Sequence, residues 1–124
     1  VIESFWTIPE VTSIRTPLSI LREQAVALTE QTKGTLVGMV DVQSLKGAEF
    51  LVVLDVSVPA LNNYHYRVLS YRQPIEMYPG CLYIGDDGQD IADERAFVGR
   101  VKHALSSEKV KNILLSLLSQ AMTA

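Results

Sequence analysis

The alternation of apolar and polar positions is clearest in the middle of the chain. Over 34–43, Leu36, Gly38, Val40 and Val42 alternate with Thr35, Val37, Met39, Asp41 and Gln43. Over 50–59, Phe50, Val52, Leu54, Val56 and Val58 share one parity, and Leu51, Val53, Asp55 and Ser57 the other. Over 64–73, Tyr64, Tyr66, Val68 and Ser70 alternate with His65, Arg67, Leu69 and Tyr71. A period of two sustained over such lengths predicts three consecutive strands. Gly47 in the first gap, and Pro59 with Asn62 and Asn63 in the second, supply reversals, so an antiparallel meander is expected. Setting Val58 opposite Tyr64 pairs Val56 with Tyr66 and Leu54 with Val68. On the other face Ser57 meets His65, Asp55 meets Arg67, Val53 meets Leu69 and Leu51 meets Tyr71. Asp55 opposite Arg67 is a favourable cross-strand pair, and a one-residue slip would bury Asp55 in the apolar row.

A period near 3.6 flanks this block on both sides. Leu18, Leu21, Ala25 and Leu28 form one stripe, with Thr16 as its cap, Pro17 at the first helical position and Lys33-Gly34 as its stop. Downstream, Ala92, Ala96, Phe97, Val101 and Leu105 predict a second helix from Ile91, capped by Asp90 with Asp93 and Glu94 in its first turn. Ser106-Ser107-Glu108 reads as a break and a new cap. A third helix then runs to about Met122 on Val110, Ile113, Leu114, Leu117, Leu118 and Ala121. Leu115 lies off that stripe and widens it, which predicts contact with two neighbours. The connector 74–90 holds Pro74, Pro79 and Gly80 around a short apolar piece, 81–84, that can form a fourth strand, and Asp86-Asp87-Gly88 marks a turn. The chain therefore predicts an α+β domain over 16–124: an N-terminal helix, a three- to four-stranded antiparallel meander, and two C-terminal helices packed on its Phe50–Val58 face.

Residues 1–15 have neither period. Phe5, Trp6, Ile8, Val11 and Ile14 are too apolar for a free tail, so an extended arm is expected that packs on the body or on a neighbour, as an edge strand or by exchange between copies.

Composition narrows the function. The chain has 124 residues, enough for one domain with its own core. The net charge is −3 and the pI about 5.3, which disfavours nonspecific nucleic-acid binding. A mean hydropathy of +0.16 is slightly high for a soluble monomer and favours a protein partner or a homodimer. The one cysteine, Cys81, allows no internal disulfide and reads as a buried small side chain in a reducing, cytoplasmic setting. No stretch is long and apolar enough for a membrane span, and no leader is visible. The first residue is Val1, not Met, so the start reads as trimmed.

Candidate chemistry is sparse. Asp86, Asp87 and Asp90 invite a calcium loop, but counting from Asp86 puts Gly88 at position three and Phe97 at position twelve, where that loop needs an oxygen ligand and a bidentate glutamate. A helix followed by three strands suggests a metal nuclease core, yet no lysine stands on the strands beside Asp41, Glu49 or Asp55. The same order occurs in double-stranded-RNA-binding domains, but there the next helix opens on basic residues, whereas Asp90, Asp93 and Glu94 open this one. The segment Gly34-Thr35-Leu36-Val37-Gly38 lacks the lysine of a phosphate loop and follows a helix. His65 and His103 have no spacing relation to Cys81. The reading assigns no catalytic, cofactor or metal residue.

The expected function is a non-enzymatic protein-binding module that self-associates. By size and charge it is comparable to secretion chaperones and toxin-neutralising proteins. The expected partner surface is the outer sheet face of Leu51, Val53, Leu69 and Tyr71, with Arg72 at its margin, because tyrosine and arginine anchor such surfaces. Two alternatives are an enzyme with a deep polar pocket at 74–90, and a single-strand nucleic-acid binder using Tyr64, His65, Tyr66, Arg67, Tyr71 and Arg72. The latter requires exposed aromatics.

Overall fold

The computed structural model describes residues 2–11 and 15–124. Ile14, counted above among the apolar residues of the arm, lies outside the described residues. The elements run α1 (Pro17–Gln31), β1 (Val37–Leu45), β2 (Glu49–Val58), β3 (Tyr64–Pro74), β4 (Gly80–Ile84), β5 (Asp87–Ile91), α2 (Glu94–Leu105) and α3 (Glu108–Met122). The strands form one antiparallel sheet in the order β1-β2-β3-β4-β5, a pure meander. The α+β class and the helix–meander–two-helix order match the expectation, with one strand more than anticipated.

The helix boundaries follow from side-chain capping. Thr16 accepts a hydrogen bond from the Ser19 amide at 3.0 Å. Ser107 likewise caps α3 through the Val110 amide at 3.3 Å. The cap of α2 is Asp93, which accepts from the Ala96 amide at 2.8 Å. Asp90 belongs instead to β5, and this corrects the expected start of the second helix. The fifth strand escaped the periodicity because Asp87-Gly88-Gln89-Asp90 is poor in strand formers and reads as a turn. What closes the β4–β5 hairpin is the two-residue loop Gly85-Asp86 between paired Ile84 and Asp87. Gly85 takes a φ of +62° there, which suits the first position of a type II′ turn. The first strand begins at Val37, after a turn in which Lys33 and Gly34 are left-handed, rather than at 34.

All three helices cover the same sheet face. Ile20, Leu21 and Ala25 of α1, Phe97, Val101 and Ala104 of α2, and Val110, Leu117 and Ala121 of α3 join Val52, Leu54, Val56, Val58, Leu69, Tyr71 and Leu82 in one buried cluster. Each valine, leucine, isoleucine or phenylalanine among them contributes about 1.5–3 kcal/mol through removal from water. The centre is aromatic: Tyr71 and Phe97 meet edge to face at 4.7 Å between centroids, and Tyr78 lies 6.0 Å from Tyr71. The Tyr71 hydroxyl donates to the Met77 carbonyl at 2.7 Å, tying the connector to the core. Burial holds the Tyr71 hydroxyl well above the ordinary tyrosine range. Burial, with Glu94 and Asp93 nearby, pushes Tyr78 up to about 12. Among the described residues no helix is long and apolar enough to cross a membrane.

Candidate partner-binding surface

The register between β2 and β3 decides which side chains share a face. Val58–Tyr64, Ser57–His65, Val56–Tyr66 and Asp55–Arg67 pair as expected. The ladder then shifts by one: Leu54 faces Leu69, Val53 faces Ser70, Val52 faces Tyr71 and Leu51 faces Arg72, so Val68 is the extra residue of a bulge. The bulge turns Leu69 and Tyr71 inward, where they are 1% and 0% exposed. This corrects the expected grouping, since Leu69 and Tyr71 lie in the core and not beside Leu51 and Val53. The physical reason is burial. Without the bulge, Ser70 would sit in the apolar face and Tyr71 in water.

Leu51, Val53 and Arg72 do lie on the outer face. They form a short apolar strip closed at both ends by charge. Arg67 Nε reaches Asp55 Oδ1 at 3.2 Å, and an Arg72 terminal nitrogen reaches Glu49 Oε1 at 2.7 Å. Val53 is 1% exposed yet stands apart from the main cluster, and Leu51 is half-buried. The stems of long charged side chains cover apolar surface in this way. The Arg72 guanidinium is held above its ordinary range chiefly by its hydrogen bond to Glu49. In the Asp55–Arg67 pair the aspartate side chain is 20% exposed and the arginine about half exposed, so the guanidinium reaches water. Asp55→Ala is expected to lower stability by less than about 1 kcal/mol. A urea-melt loss of several kcal/mol would show instead that the pair holds the outer face together.

The aromatics of 64–72 do not form an exposed stacking patch. Tyr64, Tyr66 and Tyr71 point to the helix side of the sheet, while His65, Arg67 and Arg72 point to the other. Tyr71 is buried and Tyr66 is half-buried, which leaves Tyr64, 53% exposed, as the one exposed tyrosine of the segment. At the connector, Glu49, Arg72, Cys81, Tyr83 and Asp90 line an open cleft of about 640 Å³. Cys81 is half-buried there, and the Tyr83 hydroxyl is raised above its ordinary range, first by the neighbouring Cys81. His65 lies at the far end of β3, and His103 lies on α2, across the sheet. No group of three or more histidine, cysteine or acidic side chains is placed to hold a metal ion among the described residues.

Two other places expose apolar surface. One is the arm. Residues 2–11 lie outside helices and strands, and Ile2, Phe5, Trp6, Ile8 and Val11 are 81–95% exposed, so the arm does not pack on its own body. The other is the edge of β1. The Gly38 amide donates to Thr29 Oγ1 at 2.9 Å and so points away from β2. Residues of the same parity, Val40, Val42 and Ser44, direct their amides and carbonyls outward as well. The helix α1 satisfies the edge at Gly38. Past that point the exposed Val42 joins Leu18, Phe50, Val52 and Met77 in lining an apolar groove of about 240 Å³ on the helix side, while Met39 is exposed on the outer side. On the flank of α1, Leu18, Arg22 and Val26 line a second apolar hollow. Periodicity detected the apolar arm but not this edge, because it treats both edges of a sheet alike.

No protein-family model, curated protein or solved structure matches the chain.

Proposed function

We propose that this chain is a non-enzymatic protein-binding module that associates with itself. The observation that carries the reading is the arm: Ile2, Phe5, Trp6, Ile8 and Val11 all lie in water on one short segment. Soluble chains scatter single exposed apolar residues, whereas a contiguous run marks a surface used for contact. The net charge of −3 favours a protein partner over nucleic acid. A single cysteine with no internal disulfide to maintain suits the cytoplasm. Sedimentation equilibrium of the full chain over a range of concentrations is expected to show a dimer that dissociates on dilution. A monomer at every concentration would overturn self-association.

A further inference from the structure

We propose that the arm of one copy adds as a sixth strand to the free edge of β1 in a second copy. The inference rests on the self-association reading above and names its contact.

The arm's sequence suits an edge strand in one phase. Pro9 has no amide hydrogen, so it fits a strand only where its nitrogen faces away from the ladder. That requirement directs the main-chain groups of Trp6, Ile8 and Glu10 towards β1. The outward-facing groups of Val40, Val42 and Ser44 meet them. In an antiparallel ladder, residues directly opposite share a face. Val40 and Val42 lie on the helix side of the sheet, since they pair with Leu54 and Val52. Trp6 and Ile8 would therefore lie on that side too, over Leu18 and the flank of α1. On the outer side, setting Ile8 opposite Val42 would bring Val11 to Met39, itself 44% exposed, and Phe5 to Leu45 at the far end of β1.

Charge agrees with this phase. The described arm carries Glu3 and Glu10 and no basic residue. The receiving edge has one acid of its own, the exposed Asp41 on the outer side, and is flanked by Arg22 on α1, which makes no ion pair among the described residues, and by Lys46 just beyond β1. The other edge of the sheet, β5, carries Asp87 and Asp90 and would repel the same arm. The arm stands off its own β1 in the structure, so the second copy is the occupant. Reciprocal exchange of two arms closes a two-fold dimer.

The test uses full-length chains in a Cys81→Ser background. One chain carries Thr7→Cys and the other Asp41→Cys; both positions are exposed, so neither change threatens folding. The two are mixed and treated with a short bismaleimide, and a third chain carries both cysteines. The expected result is a covalent dimer joining Thr7→Cys to Asp41→Cys in the mixture. In parallel, Trp6→Asp with Ile8→Asp is expected to weaken dimerisation by on the order of thirtyfold or more, with an unchanged urea midpoint for the monomer. A dimer that survives both aspartates and gives no mixed cross-link overturns the arm contact while leaving self-association standing. A cross-linked monomer of the doubly substituted chain, with no mixed dimer, shows that the arm folds back on its own edge and overturns the exchange. A wild-type chain that never dimerises overturns both readings.

Discussion

Leu117→Asp is expected to unfold the chain. Leu117 is 7% exposed and packs from α3 into the buried cluster with Val110 and Ala121. Removing a buried leucine side chain costs about 2–5 kcal/mol. Placing a carboxylate there adds several kcal/mol more, because nothing in the cluster can pair with it. The sum, roughly 5 kcal/mol or above, is comparable with the whole stability of a domain of this size. The control is Leu115→Asp on the same helix. Leu115 is 64% exposed, so that change should move stability by no more than about 0.5 kcal/mol. Circular dichroism in a urea titration distinguishes them. A cooperative, unshifted melt for Leu117→Asp would remove α3 from the core. Equal losses for the two variants would mean that α3 is oriented differently.

Gly38→Ala is expected to destabilise by about 3 kcal/mol, an unusual amount for one added methyl group. A Cβ at that position would stand 2.5 Å from both the Cα and the carbonyl oxygen of Ala25. Those are backbone atoms of α1, so no side chain can rotate away. The helix must lift from β1, and the 2.9 Å bond from the Gly38 amide to Thr29 Oγ1 stretches with it. Ala25→Gly in the same chain should not restore stability, since the clash is with main chain and not with the Ala25 methyl. A loss below about 0.5 kcal/mol, measured by the shift in urea midpoint, would show that α1 rides loosely on the sheet.

Much of this architecture was legible in the residues. The caps at Thr16 and Ser107 are polar residues placed before apolar stripes. The three long strands showed a clean period of two, and Asp55 opposite Arg67 fixed half of the central register. The other half was misread where the period changes phase. Outward polar positions run 65, 67 and then 70, 72, a step of three, and Val68-Leu69 are adjacent apolar residues. That step is the signal of the bulge, and it moves Leu69 and Tyr71 from the expected partner face into the core. The last strand, β5, was missed for the opposite reason. It is held by pairing with β4 around Gly85, and its own composition argues against a strand. Of the residues expected to meet a partner, Leu51, Val53 and Arg72 lie on the anticipated face. The Asp55–Arg67 pair was anticipated, but the Arg72–Glu49 pair was not, because it depends on the register past the bulge, and no pattern of residues shows that the edge of β1 stays uncovered.

The two edges of the sheet differ in a way that sets how far assembly can run. At β5 the exposed residues are Asp87, Gly88 and Asp90, and joining two copies there would crowd four carboxylates into one seam. At β1 the rim offers the exposed side chains of Met39 and Val42 and the outward main-chain groups of Val40, Val42 and Ser44. A sheet that can be extended at one end only has no route to an endless ribbon. Rim-to-rim stacking of whole sheets would therefore stop after one junction, because the acidic opposite rim acts as a terminator.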